Sequence, residues 1–130
     1  TQFFFDPDSY FRLVDAAQAT GVTMPIIPGI MPVTNVRQLQ RFAQLSGTPL
    51  PAPMIEQFER GSIALAGGGA LIEQFERVAD DPQAVVDLGV EHASHLCSQL
   101  LAGGAPGLHF YTLNRSTATL RVYRDLGLTV

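Results

Sequence analysis

Short apolar runs alternate with segments of helical period through most of this chain. The first run, Gln2-Phe3-Phe4-Phe5, stops at Asp6-Pro7. Asp6 suits a helix cap and Pro7 the first helical position, where a missing N–H costs nothing. Tyr10, Leu13, Val14 and Ala17 then follow at helical spacing, and Gly21 suits a left-handed stop. The second run extends from Val22 to Ile30 and is followed by Pro32-Val33-Thr34-Asn35. Asn35 and Gln38 have capping-box spacing, with Val36, Leu39, Phe42 and Ala43 forming an apolar face that ends near Gly47. The third run is Gly107–Leu113; after it Ser116 is a candidate cap for a short helix, Thr117–Leu126, which Gly127 would stop.

A longer helix, roughly Pro82–Leu101, precedes the third run. Asp81-Pro82 opens it as Asp6-Pro7 opened the first, and Gly103-Gly104 closes it. Continuous apolar strands alternating with amphipathic helices predict an α/β fold, a parallel sheet covered by helices. Right-handed crossovers would set the three strands in parallel order. Three strands make one piece of an α/β layer.

The middle breaks this grammar. Ile55-Glu56-Gln57-Phe58-Glu59-Arg60 recurs letter for letter as Ile72–Arg77, 17 residues further on. Two copies are too few for a solenoid. A local duplication or an inserted segment at 61–77, joined through Gly67-Gly68-Gly69, fits better. Without it, Arg60 would run directly into Val78 and the next cap. The glycines lack the preceding strand, the spacing and the lysine of a phosphate-binding loop, so they read as a joint.

Composition narrows the chemistry. The chain has 130 residues, 46% of them hydrophobic and 15% charged, a globular composition with a net charge of −4. Excess acid argues against nucleic-acid binding. All eight basic residues are arginines, which excludes Schiff-base, Walker-lysine and lysine-base chemistry. The apolar stretches Val22–Val33 and Ile63–Ile72 are too short for a membrane span. The single cysteine, Cys97, suggests a reducing, cytoplasmic compartment. The start at Thr1, without Met or signal peptide, suggests the interior of a longer protein.

Several residues invite chemistry but also have plain alternatives. His92 and His95 stand at i, i+3, yet no fourth ligand is evident, so packing or surface roles compete with metal binding and no metal is expected. Cys97 has no positioned base, which favours a small buried residue over a nucleophile. In parallel sheets, ligands gather at the carboxyl ends of strands. There the sequence offers Asp6, Asn35, Gln38, Thr112, Asn114 and Arg115. Gln2 precedes three phenylalanines on a strand that should be buried, so its amide needs a partner in the protein or in a ligand.

Three separated motifs, Thr1-Gln2-Phe3-Phe4-Phe5-Asp6, Ile27–Asn35 and His109–Arg115, resemble the methylenetetrahydrofolate reductase family in order and approximate spacing. The likeness covers nearly the whole chain except Gly61–Arg77. It implies a partial (β/α)8 TIM barrel, about three parallel strands with their helices from the C-terminal part of the catalytic barrel. It also implies flavin-dependent reduction of 5,10-methylenetetrahydrofolate to 5-methyltetrahydrofolate with NAD(P)H, FAD passing the hydride. By motif position, Gln2 and Gln38 resemble folate-contacting glutamines, and Phe42 an aromatic that stacks on folate or nicotinamide. Tyr111, Leu113 and Arg115 are similar to last-strand residues lining the folate side, Arg115 pairing with the substrate's glutamate carboxylate. Gln38 has its capping role as alternative, Phe42 a place in helix core, and Arg115 an anchor for the last helix.

The family's catalytic glutamate and almost all its flavin contacts fall on earlier strands, outside this chain. The fragment is therefore expected neither to hold FAD tightly nor to turn over. A non-catalytic alternative is a partial or engineered barrel fragment, forming a homo-oligomer or complementing a missing half through its open strand edges.

Overall fold

The computed structural model describes residues 1, 3–37 and 74–128. Chain contacts divide the protein into two compact units, Thr1–Pro32 with Gly89–Val130, and Val33–Leu88.

In the first unit, α1 spans Pro7–Ala19, β1 Gly29–Ile30, β2 His109–Phe110 and α3 Thr117–Asp125. The long helix α2, Pro82–Ala102, runs its later turns through this unit. β1 and β2 pair in parallel, Gly29 opposite His109 and Ile30 opposite Phe110. Phe3 forms an isolated parallel bridge to Gly29 on the other side. The three apolar runs therefore lie side by side in chain order, all parallel.

The strands are shorter than the apolar runs that predict them. Pro28 brings no N–H to the ladder; its carbonyl accepts from His109 at 3.0 Å, and upstream the pairing lapses. Downstream, Tyr111 still donates to the Ile30 carbonyl at 2.8 Å. Leu113 and Asn114 then adopt φ values of 48° and 60°, which no strand can follow. Leu113, expected at the end of a strand, stands instead in a turn.

The caps are local chemistry and fold as the sequence indicates. Asp6 accepts from the Ser9 amide at 2.8 Å and from its hydroxyl at 2.7 Å. After each helix a glycine with positive φ, Gly21, Gly104 or Gly127, closes the last turn. Each does so with the paired 6→1 and 5→2 bonds of a Schellman motif: Val22 to Ala17 with Gly21 to Gln18, Ala105 to Leu100 with Gly104 to Leu101, and Leu128 to Tyr123 with Gly127 to Arg124. Ser116 departs from expectation. Its backbone is already in the right-handed helical region, whereas a capping side chain needs an extended backbone, and it makes no side-chain cap bond.

The core of this unit is an i, i+3, i+4, i+7 stripe on α2, formed by Val90, Ala93, Leu96, Cys97 and Leu100, all buried. Ile30 from β1, and Ala118 and Val122 from α3, are buried as well. Ser94 on α2 donates to the Asp125 carboxylate on α3 at 3.0 Å. Tyr10 on α1, 2% exposed, donates its hydroxyl to the Ile26 carbonyl at 2.7 Å, and the Phe4 ring meets it edge-on.

In the second unit, Val33, Phe75 and Val85 are buried. Asn35 accepts from the Arg37 amide at 2.8 Å, while its expected capping partner Gln38 lies outside the described residues. Asp81 opens α2 by accepting from the Gln83 and Ala84 amides at 2.9 and 3.1 Å. Residues 74–77, the end of the second repeated hexamer, are helical; the first copy and 61–73 lie outside the described residues.

Candidate substrate-facing rim

Side chains alternate across strands, and here the alternation sorts the aromatics by face. Phe4 meets Tyr10 of α1 at 5.7 Å between ring centroids. Phe3 and Phe5, on the alternate positions, meet each other at 5.5 Å. Phe3 also stands edge-on to Tyr111 at 6.1 Å, and Tyr111 edge-on to His109 at 4.9 Å. Phe5, Phe3, Tyr111 and His109 thus make a connected aromatic chain on the side of the sheet away from α1.

Two polar ties fix this rim. The Tyr111 hydroxyl donates to the Thr1 carbonyl at 2.8 Å. The Thr1 hydroxyl accepts from the Gly29 amide and donates to the Ile27 carbonyl, each at 3.0 Å, tying the first segment to the second. A third support comes from α2. His92, half-buried, makes a hydrogen bond to the Phe5 backbone. Burial lowers its pKa, the neighbouring His95 lowers it further, and the Phe5 bond opposes both.

Of the six residues singled out from the sequence, three fall within the described residues. Tyr111 is half-buried and centred in the rim. Leu113, 60% exposed, and Arg115, exposed, follow it in the turn beyond β2, closed by the Arg115 amide donating to the Thr112 carbonyl at 2.8 Å. Among the described residues, nothing forms an ion pair or hydrogen bond with the Arg115 guanidinium. The Ser94–Asp125 bond ties α3 to α2. Gln2, Gln38 and Phe42 lie outside the described residues, although Thr1 and Phe3, on either side of Gln2 in sequence, both touch Tyr111.

Sequence reasoning missed the Thr1 hydroxyl and the role of His92. The first carried no signal, since a strand-end threonine is unremarkable. The second did, because His92 stands one helical turn before Leu96, on the buried side of α2. The Cys97 thiol is fully buried, and burial pushes its pKa up to about 12. Among the described residues no group of three or more His, Cys, Asp or Glu is placed to hold a metal ion, and no helix is long and apolar enough to cross a membrane.

Comparison with known proteins agrees with this geometry. The family description "Methylenetetrahydrofolate reductase" matches residues 1–63 and 68–127. The chain is 34% identical over 128 residues to the 5,10-methylenetetrahydrofolate reductase of Pectobacterium carotovorum, covering 98% of this chain and 37% of that protein. It is 31% identical to methylenetetrahydrofolate reductase (NADH) 1 of Arabidopsis thaliana, covering 98% of this chain and 19% of the relative. It is also 31% identical to a probable methylenetetrahydrofolate reductase (NADPH) of Caenorhabditis elegans, covering 98% of this chain and 17% of the relative. The chain therefore spans well under half the length of these relatives. With a family match that spans all three parallel segments, the chain belongs to the methylenetetrahydrofolate reductase family and is a portion of its (β/α)8 barrel.

Proposed function

We propose that this chain supplies the folate-side wall of a flavin-dependent methylenetetrahydrofolate reductase, binding the folate while NAD(P)H provides the reducing equivalents. The observation that carries the reading is Arg115. It is exposed, its guanidinium is unengaged among the described residues, and it stands just before the N-terminus of α3, where the Ser116 side chain makes no cap bond. A planar fork of donors beside an open helix N-terminus favours a carboxylate, and folates end in one. The Phe3–Tyr111 rim supports the same side of the site as an aromatic surface for a flat ring. Gln2 and Gln38 would meet the donor–acceptor edge of the pterin, and Phe42 its face.

The family resemblance implies FAD as the hydride carrier. Among the described residues, the N-termini of α1 and α2 already hold the carboxylates of Asp6 and Asp81, which would repel a diphosphate. Those two helix ends do not fit the diphosphate of the flavin, which supports assigning the chain the folate side, with turnover requiring the rest of the barrel. A cytoplasmic setting is supported by the buried, unpaired Cys97 thiol.

The test is calorimetric titration of 5-methyltetrahydrofolate into the purified chain and its Arg115→Gln variant. Binding that Arg115→Gln weakens about tenfold, a lost charge-assisted pair, supports the reading. No binding by either, or a chain that purifies with bound flavin and oxidises NADH, overturns it.

A second reading, association with another copy or a complementary half, has its own support. Among the described residues, β2 pairs only with β1, which leaves its outer edge open. Size-exclusion chromatography with light scattering separates the two: a clean monomer that binds folate counts against obligatory association.

A further inference from the structure

The strained turn after β2 is a feature that neither fold stability nor the reading above explains. Among the described residues, every other left-handed backbone belongs to a glycine: Gly21, Gly104 and Gly127. Leu113 stands at φ 48° and Asn114 at φ 60°, with the Arg115 amide closing onto the Thr112 carbonyl. This sign pattern is that of a type I′ turn, in which glycine, asparagine and aspartate are favoured. Asn114 is suited to its place, because its short polar side chain tolerates the left-handed region. Leu113 is not. Its Cβ crowds the backbone there, and with 60% of its surface exposed, burial returns little of the cost.

A strained backbone persists where something other than stability holds the residue in place. We propose that Asn114 is a positioning residue: it keeps the turn left-handed so that Leu113 is presented as an apolar contact to the bound folate, two residues before the charge of Arg115. The strain at Leu113 is then maintained for the ligand. This inference rests on the folate-side reading and adds to it the residue that sets the geometry of the contact.

The full chain, titrated with 5-methyltetrahydrofolate in the calorimeter and melted without it, tests this with three variants. Leu113→Gly removes both the strain and the contact, so its thermal midpoint should equal or exceed the parent's while affinity falls about tenfold. Asn114→Ala should weaken binding to a similar degree, and Asn114→Gly, which takes positive φ freely, should restore it. Because Leu113→Gly separates stability from binding, a merely structural role would not produce this pattern. Unchanged affinity in Leu113→Gly, or equal losses in Asn114→Ala and Asn114→Gly, overturns the inference while leaving the folate-side reading intact. Failure of the parent chain to bind overturns that reading, and the inference with it.

Discussion

The hydroxyl of Tyr111 donates to the carbonyl of Thr1 across 110 residues of chain, at 2.8 Å. The same ring stands edge-on to Phe3 and His109. One side chain thus links the first and third parallel segments above the second, and Leu113 and Arg115 follow it on the same loop. Stability of the rim and placement of the proposed folate contacts therefore share a residue.

Replacing Tyr111 with Phe separates the two parts of this link. The variant keeps both ring contacts and loses one exposed hydrogen bond, at the lower end of about 0.5–1.5 kcal/mol. Tyr111→Ala also loses two edge-on aromatic pairs, each worth about 0.5–1.5 kcal/mol. Urea unfolding should rank alanine as clearly the more damaging; equal losses would mean the ring contributes nothing.

His92 makes stability depend on pH. Its folded pKa lies below the ordinary 6.5, chiefly through burial, so in mildly acidic solution the unfolded chain takes up the proton first. The contribution is complete above about pH 6.5 and declines as the pH falls from there through the folded pKa. Unfolding free energies measured from pH 7.5 downward, for the parent and His92→Gln, should converge in slope above this window and diverge within it. Parallel curves throughout would exclude His92 as the source.

Gly103 sits where α2 ends against α1. A Cβ built on it would overlap the Phe11 ring at Cζ. Gly103→Ala must push the ring aside, an overpacking cost of about 1–3 kcal/mol offset in part by alanine's lower unfolded-state entropy. In a Phe11→Leu background the same substitution should be close to neutral. A thermal-melt double-mutant cycle reads the coupling, and additive effects would mean that the ring is not the obstacle.

These features differ in how visible they are in sequence. Asp6, Asp81, Gly21, Gly104 and Gly127 act within a turn or two of themselves, so residue type and spacing suffice to place them. Strand extent depends on the partner: the apolar letters from Val22 to Ile30 do not disclose that Pro28 withholds a donor from the ladder. Ser116 has a capping letter but a backbone already helical, a fact of conformation rather than composition. Tyr111 is marked by family resemblance alone and Arg115 also by its place after the third run, but nothing local to them shows that Thr1 bonds the tyrosine hydroxyl or that the guanidinium stays unengaged among the described residues.

Cys97 should resist modification. With its thiol fully buried and its pKa pushed up to about 12, almost no thiolate exists at neutral pH and no reagent reaches it without opening the fold. Reaction with a disulfide reagent should be slow in buffer and rapid in concentrated urea. Fast labelling in buffer would show that α2 opens locally.

The two candidate serine and aspartate caps should behave differently under the same substitution. Asp6 accepts both the amide and the hydroxyl of Ser9, so Asp6→Ala leaves a first-turn donor of α1 unsatisfied and removes a charge that complements the helix dipole. The expected loss is about 0.5–2 kcal/mol, with Asp6→Asn recovering most of it. Ser116 makes no side-chain cap bond, so Ser116→Ala removes nothing that holds α3 and should stay within about 0.5 kcal/mol of the parent. Urea unfolding of the three variants checks both claims together. If Ser116→Ala costs as much as Asp6→Ala, the serine side chain caps α3 in solution, and the open helix end beside Arg115, on which the proposed carboxylate contact depends, is closed.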